Sequence, residues 1–171
     1  MITKDFLIKV MPNVRNLDAI FPFLLEGLNR YEINTPLREN HFIAQVAHES
    51  GEFRYMKELA SGKAYEGRKD LGNVHSMDGV RFKGRGLIQI TGRANYRELS
   101  SSFGVDFLSN PELLETPKYA TLSACWFWKS RGLSRLADVN DFIRITRRIN
   151  GGTTGIEHRR MYLDRANQYN G

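Results

Sequence analysis

Apolar side chains recur at three- and four-residue intervals through "NLDAIFPFLLEGLNRYEI", which predicts a helix over about 17–32 with Asn16 as its N-cap. The pattern restarts in "TPLRENHFIAQVAHES", where Thr35 can cap, Pro36 takes the first helical position and Gly51 suits the left-handed residue that ends a helix. Glu49 therefore falls in the last turn of a helix. Residues 60–85, rich in Gly and polar side chains, read as loops with a short hairpin, and loops of that length inside a domain are often functional. A helical pattern returns in "LIQITGRANYRELSSSF". After it come a short helix from Asn110 and Pro111, a strongly apolar helix ending at Gly132, and two more in "LADVNDFIRITRRING" and "GTTGIEHRRMYLDRANQYNG", the last starting near Thr154. The fold class is mainly α, as one catalytic domain over 1–171 with two lobes flanking a cleft and no separate wall-binding module.

Composition narrows the function classes. A hydrophobic fraction of 41% and a charged fraction of 26% exclude a disordered or fibrous chain. The net charge of +6 favours an anionic partner. Its cations are interleaved with acids, and only "RITRR" and "HRR" are tight groups, so the stripe expected of a nucleic-acid binder is missing. Cys125, the single cysteine, lies in "LSACWFW" and reads as a buried thiol. The N-terminal segment lacks the run of a secretion signal, and "AIFPFLL" is too short to span a bilayer.

The chemistry concentrates in "HESGEF", residues 48–53, with Glu58 soon after. A carboxyl at the rim of an apolar helix end is disposed to stay protonated, as a general acid for glycosidic cleavage must. An inverting glycosidase needs a second carboxylate about 6.5–9.5 Å away to activate a water. On an unbroken helix Glu49 and Glu58 would face opposite ways, about 13.5 Å apart along the axis. A reversal at Gly51 removes that obstacle and makes Glu58 the preferred base, ahead of Glu66 and Glu52. A zinc site is disfavoured: position 52 is Glu where H-E-x-x-H requires its second His, and no further ligand has suitable spacing.

In "GRGLIQITGRANY", residues 84–96, two glycines permit close backbone approach, while Gln89, Thr91, Asn95 and Tyr96 offer the amides, hydroxyl and aromatic face that hold a sugar and a water. Together with "AHES" and "RRINGG", this segment resembles glycoside hydrolase family 19, the plant-type chitinases, and most closely the endolysins among their phage and prophage relatives. The resemblance runs from about Phe42 to Arg160. It implies a lysozyme-like helical fold with a substrate cleft, an inverting mechanism and no cofactor. It matches Glu49 to the general acid, Thr91 to the hydroxyl that helps hold the water, and Gln89, Asn95 and Asn150 to cleft positions. Tyr65 and Arg159 join the expected substrate-binding set, although Arg159 or Arg160 could instead orient a catalytic carboxylate. Ala94 departs from the plant pattern, which has a Tyr there, and the segment joining acid to base is shorter than in plant enzymes.

The expected activity is hydrolysis of β-1,4 bonds in peptidoglycan by a monomeric endolysin. It would be stored in the host cytoplasm until a holin opens the membrane, and then act in the periplasm and wall. Chitin hydrolysis, a lytic transglycosylase reaction and non-catalytic cationic wall binding are the alternatives. The basic C-terminal segment with Arg159, Arg160 and Arg165 could touch anionic outer-membrane lipid or form a solvated helix face; no nucleic-acid partner is expected.

Overall fold

Nine α-helices form in the computed structural model, which describes residues 1–171: α1 (Lys4–Val10), α2 (Leu17–Arg30), α3 (Pro36–Ser50), α4 (Asp78–Arg81), α5 (Arg93–Phe103), α6 (Pro117–Ser130), α7 (Leu133–Asp138), α8 (Phe142–Asn150) and α9 (Ile156–Tyr169). Strand pairing is limited to isolated antiparallel bridges, Lys57 with Arg85 and Arg85 with Ile90. No helix is long and apolar enough to cross a membrane.

The centre of the fold is α3, buried on every face from Glu39 to Ala47. Thr35 caps it by accepting from the Arg38 N–H, with Pro36 at the first position as its sequence predicts. Its apolar residues pack into the core, where Phe42 meets Trp128 of α6 edge to face at 5.4 Å. Three of its buried polar residues reach other elements, since an unpaired polar group inside a core is costly. Asn40 donates to Asn167 of α9, His41 meets Asn140 beside α8, and Gln45 donates to Thr146 of α8. A second contact closes α2 on α6 at Gly27, where a Cβ would lie 2.6 Å from the Cys125 sulfur. Cys125 is the buried thiol expected, and burial pushes its pKa upward.

Several elements differ from the pattern in the sequence. The segment "LIQI" is apolar but not helical: it forms a tight turn closed by paired hydrogen bonds between Arg85 and Ile90, and α5 starts only at Arg93. Residues 133–150 are two helices because Asn140 adopts a left-handed conformation and Asp141 caps α8. Asn16 takes the N-cap position of α2, but its side chain makes no capping hydrogen bond and its amide donates instead to the Phe53 carbonyl. The 60–85 segment holds two single-turn 3-10 helices and α4 in place of a hairpin. The N-terminal helix α1, capped by Thr3, has no counterpart among the predicted elements.

Candidate active site

The helix carrying Glu49 ends in three consecutive left-handed residues: Gly51 with φ 58°, Glu52 with φ 60° and Phe53 with φ 66°. Glycine adopts this conformation freely, whereas each of the other two costs about 1–3 kcal/mol. The cost is offset locally. Phe53 is fully buried, its N–H donates to Ser50 Oγ, and its carbonyl accepts from Asn16. The Tyr55 N–H then donates to the Ser50 carbonyl at 2.9 Å, so the chain has turned back on the end of α3. Glu58 lies three residues further on, within about 10 Å of extended chain. The reversal that the spacing required is thus a left-handed turn of three residues, of which only Gly51 was recognisable from its identity.

Glu49 keeps 18% of its side-chain surface exposed and forms an ion pair at 2.6 Å with Arg159, which is 1% exposed. The apolar surroundings expected beneath Glu49 are therefore replaced by a guanidinium. Arg159 is itself fixed on three sides. Its Nε donates to the Thr154 carbonyl and its Nη1 to Gln45 Oε1 at 2.7 Å, while Gln45 in turn donates to Thr146. This buried relay ties α3, α8 and α9 to one oxygen of Glu49 and leaves the other free. Arg159 is thus a positioning residue, with no surface to offer a substrate. Arg160 lies apart, over the Phe142 ring.

Glu58 is held by different means. Its backbone N–H donates to the Gly84 carbonyl, its Oε1 accepts from the Gly84 N–H at 3.0 Å, and its Oε2 accepts from the Tyr65 hydroxyl at 3.0 Å. Burial first, and then this hydrogen bond, raise the Tyr65 pKa above the usual phenol value, so Tyr65 remains a donor at neutral pH. Tyr65, placed among the sugar ligands by sequence, orients Glu58 here. Gly84 also gathers the next motif: a Cβ on it would lie 2.8 Å from Gln89 Oε1 and 3.3 Å from Thr91 Oγ1. Glu58, Gln89 and Thr91 accordingly surround one glycine. Thr91 donates to the Gln89 carbonyl, which leaves its lone pairs open to a water, and Gln89 is held in a left-handed conformation with its amide on Gly86.

The remaining candidates divide. Asn95 donates to the Thr91 carbonyl and accepts from Arg131, leaving one amide hydrogen free. Asn150 is exposed at the end of α8 and accepts from the Thr154 N–H. Tyr96 is fully buried, donates to the Lys83 carbonyl and accepts from Arg85. Its ring belongs to the core and presents no face to a sugar. Neither rival base is free: the Glu66 oxygens accept from the Met77 and Gly79 N–H groups at the start of α4, and Glu52 is buried against Tyr162, whose pKa burial and Glu52 push up to about 12. Both carboxylates are partly buried, and the cavities of about 370 and 500 Å³ at Ile2–Leu25–Ile33 and Ser76–Arg93 are lined by neither of them.

Sequence reading missed Gln45 and Thr146, which hold Arg159 behind Glu49, and a histidine contact beside them. His48 and His158, the neighbours of Glu49 and Arg159, face each other with Nδ1 atoms 2.8 Å apart. The His48 ring fills the space that a Cβ at Gly155 would occupy. Both pairs sit one residue apart along α3 and α9, so together they clamp the last turn of α3.

A family model for class I chitinases matches residues 40–149. That span includes both carboxylates and Thr91 and stops before Asn150 and Arg159. A glycosyl hydrolase family 19 domain-containing protein of Haemophilus influenzae is 28% identical over 83% of this chain and 88% of its own length. An Arabidopsis thaliana endochitinase is 33% identical over 74% of this chain, which spans only 44% of the plant protein. Among solved structures, a bacterial family 19 chitinase matches with a TM-score of 0.83 at 20% identity, covering 99% of this chain and 94% of that one. Chitinase C from Streptomyces griseus matches at 0.81 and 21%, covering 98% and 75%. At such identities the structural likeness is one of fold: lysozyme-like and mainly helical.

Proposed function

The chain belongs to glycoside hydrolase family 19, and from that premise we propose that it is an endolysin that hydrolyses the β-1,4 bonds of peptidoglycan strands with inversion. The observation that carries the mechanism is the unequal holding of the two carboxylates. Glu49 has one oxygen fixed by Arg159 and one free to carry a proton to the glycosidic oxygen. Glu58 has each oxygen fixed by one donor, and each retains a lone pair for a water. A water that donates to Glu58 and to Thr91 Oγ1 is left with a lone pair to aim at the anomeric carbon. Its oxygen bonds to that carbon as the bond to the leaving oxygen breaks, Glu58 takes the water's proton, and Glu49 supplies the proton that the departing sugar needs. The acid is regenerated when the proton passes from Glu58 back to Glu49 through solvent.

Peptidoglycan as the substrate is supported by the excess of positive charge and by the short segment between the carboxylates. On this reading the enzyme acts in the wall after a holin releases it from the host cytoplasm. A second reading, hydrolysis of chitin, is favoured by the plant relatives, which are named endochitinases. Purified sacculi incubated with the protein should release fragments that carry one added water per cut and a new reducing end that forms first as the α-anomer. Glu49→Gln should keep the fold and lower the rate by about 10²–10⁴-fold. Full activity in that variant overturns the mechanism. Anhydro-sugar ends would identify a transglycosylase, and soluble sugars from chitin with none from sacculi would identify a chitinase.

A further inference from the structure

Two thirds of the net charge of this molecule sits in one short stretch. Residues 129–148 contain Lys129, Arg131, Arg135, Arg144, Arg147 and Arg148 against two acids, a net +4 of the total +6. Both acids are occupied: Asp138 is held by Arg38 through two hydrogen bonds, and Asp141 caps α8 and lies 3.5 Å from Arg144. Lys129 is paired with Glu32. Arg135, Arg147 and Arg148 are exposed and have no acidic partner within ion-pair distance.

This cationic face adjoins the sugar-binding candidates through bonded contacts. Arg131 donates to Asn95 Oδ1, Arg148 donates to the Arg131 carbonyl, and Arg147 lies one turn before Asn150 on α8. A strand bound at Asn95 and Asn150 would therefore run beside these cations. Chitin carries no ionised group for such a face to recognise, whereas peptidoglycan carries carboxylates on the lactyl-linked peptides of alternate sugars. Resting on the peptidoglycan reading, we propose that the face formed by the end of α6, α7 and α8 binds the carboxylates of the wall strand and so selects charged glycan over neutral glycan. Rim charges of this kind act on encounter and on affinity in low salt more than on the chemical step.

The test is a pelleting assay with purified sacculi in which parent and variant both carry Glu49→Gln, so that cleavage does not dissolve the pellet, with cutting measured separately on the proteins that keep Glu49. The double variant Arg135→Gln/Arg147→Gln, with an unchanged melting temperature, should bind native sacculi about tenfold more weakly than the parent in low salt. The difference should vanish at high salt. Sacculi whose carboxyls have been converted to neutral amides should bind the parent as weakly as native sacculi bind the variant, and the variant should respond less to the amidation. Insoluble chitin should bind both proteins equally. Equal binding of parent and variant to native sacculi overturns the proposal, and so does undiminished binding of the parent to amidated sacculi, which would assign the attraction to phosphate. If the parent binds in this charge-dependent way yet cuts no glycan, the activity reading fails and this one stands; if it cuts but ignores amidation, only this one fails.

Discussion

Glu49 and Glu58 are nine residues apart and secured by opposite strategies. Glu49 projects from the most deeply buried helix in the molecule and is positioned by side chains: a fully buried arginine, then a glutamine, then a threonine, contributed by three helices. Glu58 sits on an irregular segment and is positioned by backbone groups of the facing strand-like stretch and by one phenol. The first arrangement couples the acid to the stability of the whole core. The second couples the base to local geometry only, so the two ends of one reaction should fail differently when perturbed.

The largest effect is expected on the acid side. Arg159→Leu leaves Glu49 and Gln45 without their partner in a buried setting, and breaking such a pair costs about 3–5 kcal/mol. In a chain of this size that lowers the melting temperature by roughly 10 °C, measurable by calorimetry, with activity lost alongside. On the base side Tyr65→Phe removes one hydrogen bond from a half-buried carboxylate and should cost about 1 kcal/mol or less in stability. Its signature should be kinetic: kcat lower by about tenfold, as one orienting hydrogen bond is worth, with KM little changed. If Tyr65→Phe unfolds the protein, or Arg159→Leu leaves stability intact, the contrast between the two sides is wrong.

The same contrast explains what could be read from the chain. Helix α3 was legible because its cap, its first proline and its terminal glycine are all local signals, and that alone located Glu49 in a last turn. Gln89, Thr91 and Asn95 are legible as polar groups in a glycine-rich motif; Gln89 and Thr91 meet around Gly84, and Asn95 joins them through the Thr91 carbonyl. Tyr96 was misread because an aromatic residue in that motif looks the same whether its ring faces a ligand or the core. For Arg159 the sequence leaves substrate binding and carboxylate orientation both open, and the structure supports the second: it pairs with Glu49, while its burial follows from Gln45 and Thr154, residues distant or unremarkable in sequence. The left-handed conformations at Glu52, Phe53 and Gln89 carry no residue-type signal, whereas Asn140 does, since asparagine tolerates that region better than most residues.

The smallest effect expected is also the one that separates the two sides by pH. His48 and His158 can hold only one proton between Nδ1 atoms 2.8 Å apart, and burial, then Arg159, then His158 press the His48 pKa down to about 4. In the unfolded chain that imidazole titrates near 6.5. Between these values the unfolded state binds a proton that the folded state does not, so stability is complete above about pH 6.5 and falls as the pH drops towards 4. His48 is partly open to solvent, which screens the effect to about 1 kcal/mol, a few degrees of melting temperature. His41, lowered by burial, adds to the same trend, so His48→Asn should flatten the curve between pH 7 and 4.5 without abolishing its slope. Tyr65 works in the other direction: its raised pKa makes the base side lose stability only as the pH rises past about 10, where the unfolded phenol ionises first. Acid should therefore loosen the clamp beside Glu49 while Glu58 keeps its donors. A melting temperature flat from pH 7 to 4.5 in the parent would remove the histidine pair from that clamp.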